Sequence, residues 1–407
     1  MKIKYCRNCK SKQIVKLFSL GNLSFTGKFP KKNVAIKKAP LSVVMCNKCK
    51  LVQLADKFNL RYLYGPDYGY RTGINKTMIN HVKRVTEILI RKTKIKEDNL
   101  VLDIASNDGT LLNCYNKKLK TFGIDPLVNK YKKNYKNINF KVSDFFSLQK
   151  IQKHTFKKKF KIITALSVFY DLEDPNKFLK SISKILSEDG IFLLEFADLA
   201  SIIRYNMFDT ICHEHLEYYS TRVIKLMCKK NNLKVFDIKS NNINGASKQY
   251  YISHINSKYS TKHKIINKID KFEKKLKLEK KETFINFIKK IDKIASHLQN
   301  KIKELKLKNK TIHCYGASTK GNVLLQYFKI TNKEIPYAAE RNPKKYNLYT
   351  PGTKIKIIPE KKSRKLKPNY YLVLPWHFRK EILIREKKTI LNGSKFIFPL
   401  PNFKVYG

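Results

Sequence analysis

Residues 101–112 read VLDIASNDGTLL, an apolar run that stops at a cluster of small and polar residues. Val101 to Ile104 have the composition of a buried strand, Ala105 to Gly109 that of a turn, and the residues after it are expected to open a helix. Strand, turn and helix in that order begin a doubly wound α/β sheet, whose turns at the carboxyl ends of the strands bind nucleotides. About twenty residues on, FGIDP ends the next strand on Asp125, placed to receive two ribose hydroxyls. The turn has one glycine, Gly109, so the G-x-G-x-x-G that cradles a diphosphate is missing. A nucleoside without a diphosphate fits better, and S-adenosylmethionine is the obvious one. Asp103, Ala105, Ser106, Asn107, Gly109 and Asp125 are expected around it, with Asp144 and Phe145 at the adenine and Ser167 after the fourth strand. A generic turn between strand and helix would also account for these residue types.

The neighbouring sequence continues the pattern. KTFGIDP, INFKVSDFF, FKIITALSVF and GIFLLEFAD are short apolar strands separated by amphipathic stretches, as in a parallel sheet covered on both faces. Upstream, Met78, Val82, Val85, Ile88 and Leu89 recur at helical spacing over 72–92. Downstream, about 258–309 lacks Pro and Gly and repeats Ile, Leu and Phe every three or four residues, predicting long amphipathic helices that connect domains rather than a sustained coiled coil. From Thr311 a second α/β unit begins with TIHCYGAS, the turn TKGN and a helix, then IPYAAE, YYLVLPW and KFIFPL. The expected division is a zinc-binding region over 1–70, a central doubly wound, Rossmann-like domain over 71–255, a helical connector over 256–310 and a smaller Rossmann-like domain over 311–407.

The zinc expectation rests on Cys6, Cys9, Cys46 and Cys49, two C-x2-C pairs separated by residues 10–45. Four thiolates close a tetrahedral sphere, so this metal is expected to be structural. The other four cysteines are scattered, which argues for reduced thiols and against a disulfide scaffold. No apolar run is long enough for a membrane span or a secretory signal, and a cytoplasmic location is expected. A formal charge of +55 suggests nucleic acid. Lys, Asn and Ile are raised together along the whole chain, however, without the arginine bias and aromatic interleaving of a nucleic-acid groove. A nucleic-acid partner is therefore not expected, although the field would speed the encounter with an anionic substrate.

FDTICHEHLEYYS, residues 208–220, contains His213-Glu214-His215. On a helix, residues two apart point about 200° apart, so the triplet is a poor metal site there. A general base is a better reading, since histidine titrates near neutrality and an adjacent carboxylate can orient it. A polar loop without chemistry is the alternative. GASTKGN, residues 316–322, is a glycine turn before a helix, suited with Lys320 to a diphosphate.

Taken together, the paired cysteine knuckle, VLDIASNDGTLL, FDTICHEHLEYYS, INGASKQYY, YGASTKGN, ERNPKKYNLYTPGTKIKI and LPWHF resemble the C-methyltransferases that act on nucleotide-linked keto-deoxysugars. The resemblance spans essentially the whole chain in order. It implies that the central domain is a methyltransferase domain, with a sugar nucleotide bound between the central and C-terminal domains, His215 as the base that removes the proton beside a ketone, and Glu214 as its orienting neighbour. His213 belongs to the same implied catalytic triplet. Tyr68 or Tyr70 of GPDYGYRTG would reach over the site and donate to the enolate oxygen. Implied substrate contacts are Asp171, Cys212, Asn244, Lys320, Asn322 and Arg341. Three positions depart from the family's pattern: Cys212 stands where some relatives have tyrosine, and Ser167 and Asp171 stand where they have asparagine and histidine. Methyl transfer to oxygen or nitrogen of a sugar is the competing activity. A zinc-containing RNA methyltransferase and an inactive scaffold are more distant readings.

Overall fold

The structure is a computed structural model and describes residues 2–32, 34–65, 68–155 and 158–407. The chain begins with β1 (Ile14–Ser24), β2 (Lys38–Cys46) and β3 (Val52–Leu54). It continues through β4 (Leu100–Ile104), β5 (Lys120–Ile124), β6 (Phe140–Val142), β7 (Phe160–Leu166) and β8 (Leu186–Phe196). Then come β9 (Glu217–Tyr218), β10 (Leu233–Asn241) and β11 (Ser247–His254). The last third holds β12 (Ile312–Tyr315), β13 (Tyr337–Glu340), β14 (Lys356–Pro359), β15 (Tyr370–Val373), β16 (Lys395–Phe398) and β17 (Lys404–Tyr406).

These strands form three sheets. The central one has the order β10-β11-β8-β7-β4-β5-β6, with β6 to β8 parallel and the β10–β11 hairpin antiparallel at one edge. Its order reverses between β4 and β7, so the turns after those two strands open side by side at the carboxyl edge. The C-terminal sheet has the order β14-β13-β12-β15-β16-β17 and reverses between β12 and β15. The small N-terminal sheet runs β1-β2-β3-β9. Its last strand is lent by the segment after His215, through Gln53↔Glu217 and Val52↔Tyr218. The His-Glu-His segment is thus tethered to the cysteine region at one end.

The helix Lys76–Thr93 starts where Asn75 accepts from Thr77 N and ends on Lys94 in the left-handed region. Its buried stripe Val82, Val85 and Leu89 packs with Val101, Leu111 and Leu112. This explains one departure from the sequence reading. The helix expected directly after Gly109 is only a single 3-10 turn, Leu112–Cys114, because the earlier helix already covers that face of the sheet.

The helices predicted near 258–309 are His263–Lys275 and Lys281–Leu307. Phe284, Phe287, Ile291, Leu298 and Ile302 of the second are almost fully buried within this chain, with the Phe287 ring 6.1 Å from Phe18. Each such side chain contributes roughly 1.5–3 kcal/mol. The first is tied to the central region by Lys248, whose ammonium bridges Asp198 at 2.8 Å and Glu273 at 2.7 Å in a buried cluster. The apolar face of this connector is occupied by its own chain. No helix among the described residues is long and apolar enough to cross a membrane.

Candidate active site

A cavity of about 400 Å³ lies where the carboxyl edge of the central sheet meets that of the C-terminal sheet. The turn after β4 supplies Ala105, Ser106 and Asn107. Ala105 and Asn107 hold φ of 58° and 51°, a conformation that costs non-glycine residues of order 1–3 kcal/mol and gathers at functional sites. Asp125 accepts from Asn107 N at 3.0 Å and from Leu127 N at 2.7 Å. Burial nevertheless pushes its carboxyl up to about 6. Asp103 accepts from Thr164 Oγ1 at 2.5 Å and is pushed up to about 7, again by burial. A buried carboxyl at the cavity wall that forms no ion pair among the described residues suits the ammonium of an amino acid, and Asp125 at the end of β5 suits a ribose; the donor set therefore fits S-adenosylmethionine.

Two expected contacts differ in detail. Asp144 is already paired with Lys150 and with Arg61, and the hydrogen bond from Lys150 holds its carboxyl below the usual range. Only its remaining acceptor capacity and the Phe145 ring, with the Arg61 guanidinium 5.4 Å from its centre, line the cavity. Gly109 does not line it. With φ at 76°, it turns the chain against Tyr135 and Ile138, where a Cβ would lie 3.0 Å from Ile138 Cδ1.

The His-Glu-His segment is neither helix nor long strand, and its three side chains part company. His213 points away from the cavity and is corrected here to a packing residue. Its Nε2 meets Ala39 O at 3.1 Å, and its ring lies edge-on to Phe25 and Phe58 at 4.7 and 5.0 Å. Burial holds it down to about 4, so it sits neutral among aromatics. Glu214 lines the cavity: Oε2 accepts from Thr26 Oγ1 at 3.4 Å, while Oε1 is buried with no hydrogen-bond partner of good geometry among the described residues. His215 lines it too. Thr210 O lies 2.7 Å from Nδ1, which assigns the hydrogen to Nδ1 and leaves the Nε2 lone pair free. Burial, then the nearby Lys320 charge, hold this ring down to about 3.

Cys212 is fully buried, does not line the cavity, and has its thiol raised well above the usual value by burial. It is a small inert core residue rather than a substrate contact. Ser167 and Asp171, from the turn after β7, do line the cavity; so does Asn244, whose Nδ2 donates to Ser167 Oγ at 3.3 Å.

From the C-terminal sheet come Lys320, after β12, and His377, after β15. Lys320 Nζ donates to Asn244 O at 3.0 Å, and burial lowers its pKa. The diphosphate reading of the glycine turn loses ground here. Ala317 N is taken by Glu340 at 2.8 Å, and Lys320 Nζ is taken by Asn244 O at 3.0 Å. Asn322 is fully buried and donates to Thr26 O at 2.7 Å, so it supports the Glu214 contact from behind. Arg341 is exposed and donates to Ile74 O at 3.1 Å. Neither Asn322 nor Arg341 lines the cavity.

Tyr68 and Tyr70 line the mouth, and the Tyr68 ring lies 4.9 Å from Tyr64. Backbone oxygens of this stretch are held from three sides: Tyr68 O by Lys130 at 2.8 Å, Gly69 O by Asn342 at 3.4 Å and Tyr70 O by Asn107 at 3.4 Å. Sequence reasoning missed Tyr64, Tyr170 and His377. Tyr170 places its ring 4.1 Å from that of His215. Its only signal was adjacency to Asp171, and that of His377 was LPWHF, to which no role attached.

Away from the cavity, the sulfurs of Cys6, Cys9, Cys46 and Cys49 all lie within 4.8 Å of one another, with Cys6–Cys49 and Cys9–Cys46 at 3.5 Å. A tetrahedral zinc with Zn–S of about 2.3 Å needs S–S edges of about 3.8 Å, which this set accommodates. Lys10 and Lys50 adopt φ of 59° and 62° to turn each knuckle. All ligands are sulfur and the cluster is largely buried, so zinc here holds structure.

Three family models match successive parts of the chain: a zinc-binding domain over residues 6–64, a methyltransferase domain over 75–238 and a C-methyltransferase C-terminal domain over 242–401. C-methyltransferase NovU of Streptomyces niveus is 24% identical over 368 residues, covering 90% of this chain and 87% of that protein. Among solved structures, an S-adenosylmethionine-dependent methyltransferase from Clostridium acetobutylicum ATCC 824 covers 43% of this chain and 92% of its own at 13% identity and a TM-score of 0.35. The PH0226 protein from Pyrococcus horikoshii OT3 covers 48% and 99% at 14% identity and a TM-score of 0.38.

Proposed function

We propose that this chain, which the three family models match in succession and which is similar to C-methyltransferase NovU, uses S-adenosylmethionine to methylate the carbon beside the ketone of a nucleotide-linked keto-deoxysugar. His215 is the base, and the observation that carries this is the Nδ1 bond to Thr210 O on a ring that lines the cavity. That bond leaves one basic nitrogen, Nε2, and a carbon acid needs one base aimed at its proton.

The ring is neutral in the resting site, which is the form that accepts a proton. When imidazolium forms, a buried positive charge must be balanced, and Glu214, next in the chain with no hydrogen-bond partner of good geometry at Oε1 among the described residues, is the group to do so. Carbon becomes nucleophilic only when the ketone takes the charge onto oxygen, so a hydrogen-bond donor at that oxygen is required as well. Bound S-adenosylmethionine supplies an electrophilic methyl group. Ala105, Ser106, Asn107, Asp103 and Asp125 would hold it, with Phe145 against the adenine. Asn244, Lys320 and His377 line the side of the cavity expected to meet the sugar. The formal charge of +55 favours encounter with an anionic nucleotide.

The test is incubation in heavy water with methyl-labelled S-adenosylmethionine and a panel of uridine- and thymidine-diphosphate-linked keto-deoxysugars, read by mass spectrometry beside His215→Ala. A labelled methyl on carbon, absent with His215→Ala, is the expected result. Methyl transfer to a sugar without a ketone would move the activity to oxygen or nitrogen.

A further inference from the structure

Asp171 ends the turn after β7, at the point where the order of the central sheet reverses, and lines the same cavity as Glu214 and His215. Its two oxygens are treated unequally. Oδ2 accepts from the Tyr64 hydroxyl at 2.7 Å, whereas Oδ1 is buried with no hydrogen-bond partner among the described residues. No lysine or arginine among the described residues forms an ion pair with it.

The titratable groups around it are Glu214, Glu217 and Cys212 from the segment after Thr210, Tyr64 and Tyr68 from the mouth, and its neighbour Tyr170. Tyr218 and Tyr219 stand behind them. All are acids or neutral; the cation behind them, Arg7, lies 3.5 Å from Glu217, and His215 and Lys320 of the same cavity form no ion pair with Asp171 among the described residues. A carboxylate in this setting would be a buried charge without compensation, whereas a carboxylic acid would be neutral and hold one hydrogen. Because Oδ2 is already an acceptor, Oδ1 is the atom that carries that hydrogen.

We infer that Asp171 is a further catalytic residue, a neutral acid whose Oδ1–H donates to the ketone oxygen as negative charge develops there, with Tyr64 positioning it through Oδ2. This rests on the enolate reading above. The C–H bond beside the ketone breaks and its proton passes to His215 Nε2. Its electron pair becomes the new C=C bond, and the carbonyl π pair moves onto oxygen, which takes the Asp171 proton. As the carbon gains its methyl group, the donor's methyl–sulfur bond breaks with its electron pair left on sulfur as a neutral thioether, the C=O bond reforms and the proton returns to Asp171. The net proton leaves from His215.

Burial raises the Asp171 carboxyl well above its ordinary value, and the Glu214 charge adds to this while the Tyr64 bond opposes it. That direction keeps the acid form available, as in sites where an apolar environment holds a carboxylic acid neutral so that it can donate. Tyr70, the donor that the family resemblance suggested, is 44% exposed at the mouth.

The experiment measures exchange of the carbon-bound proton in heavy water across a pH series, without methyl donor, on whichever member of the keto-deoxysugar panel exchanges fastest. Wild type is compared with Asp171→Ala, Asp171→Asn, Tyr64→Phe and Tyr170→Phe, with zinc content and melting temperature recorded for each. Asp171→Ala should lower the exchange rate by about 10²-fold or more, the usual loss on removing an oxyanion donor. Asp171→Asn keeps a donor that cannot titrate, so it should retain most of the exchange and lose the decline at high pH. Tyr64→Phe should move that decline to higher pH, because the bond that favours the carboxylate is gone. Exchange undiminished in Asp171→Ala, a high-pH decline unchanged in Asp171→Asn, or loss confined to Tyr170→Phe would each overturn the assignment while leaving the C-methyltransferase reading intact. Methyl transfer by a wild-type protein that exchanges no proton would overturn both.

Discussion

Gly27 and Glu214 approach so closely that a Cβ on the glycine would lie 2.6 Å from Glu214 Oε1. Residues 187 positions apart are in contact here because Thr26 and Gly27, just after β1, lie over the His-Glu-His segment, and Asn322 Nδ2 holds Thr26 O at 2.7 Å. Three parts of the chain therefore converge on one carboxylate. Gly27→Ala should displace Glu214 and lower kcat by about 10²-fold, as small misplacements in active sites do, with the melting temperature changed by only a few degrees. Unchanged kcat in a folded Gly27→Ala protein would show that the Glu214 position has no bearing on turnover.

The zinc cluster should be needed for activity although it does no chemistry. β3 pairs with β9 directly after His215, and His213 is clamped between Phe25 and Phe58. Metal analysis should find one zinc per chain, and Cys49→Ser or strong chelation should lower the melting temperature and methyl transfer together. Apparent binding energies of about 10–16 kcal/mol for structural zinc make the coupling large. A zinc-free protein with full activity would contradict it.

Asp125→Ala should weaken S-adenosylmethionine binding by about tenfold to a hundredfold, the scale of losing hydrogen bonds to a charged group. Isothermal titration reads this directly. Proton exchange on the keto sugar without donor should continue at close to the wild-type rate, because the proposed reading gives Asp125 the ribose and His215 the reacting carbon.

Lys320 should set the acid limit of the reaction. Its charge is the second cause, after burial, of the low His215 value of about 3. Lys320→Met removes that charge, so the His215 value rises and the acid-side fall in kcat/KM moves to higher pH. A fall that stays in place would assign the depression to burial alone.

The same histidine gives a stability signature. Its folded value lies below the ordinary 6.5, so between about 6.5 and about 3 the unfolded chain binds a proton that the folded chain does not. This contribution is complete above 6.5 and is lost as pH falls through that window. Replacing His215 by phenylalanine should flatten the acid-side loss relative to wild type in denaturant titrations. Asp103 and Asp125, raised to about 7 and 6, act in the opposite sense in both proteins and cancel in the comparison.

Much of this protein could be read along the chain. The four cysteines, the apolar strands from Val101 to Phe196, the helical stripe of 76–93 and the small-residue turn ending in Gly109 are local patterns, and a local pattern needs only near neighbours to be expressed. Asp125, Glu214, His215 and Lys320, singled out along the chain as candidate site residues, all line the cavity, since each stands at the end of a strand or beside a turn.

What the linear order left open was direction. His213 and His215 are chemically identical and two residues apart, yet one is wedged between phenylalanines and the other lines the cavity. That choice was made by Phe25, Phe58 and the β2 residue Ala39, distant in sequence, which take up one side of the loop and leave the other to the cavity. Asn322 and Arg341 were drawn off to backbone oxygens, Cys212 was sealed in the core, and Tyr64, 107 positions from Asp171, took one of its two oxygens. Residue type and spacing determined the elements and the menu of chemistry. Burial and the loss of solvent partners, which exist only once distant segments pack, decided which atoms remain free to react.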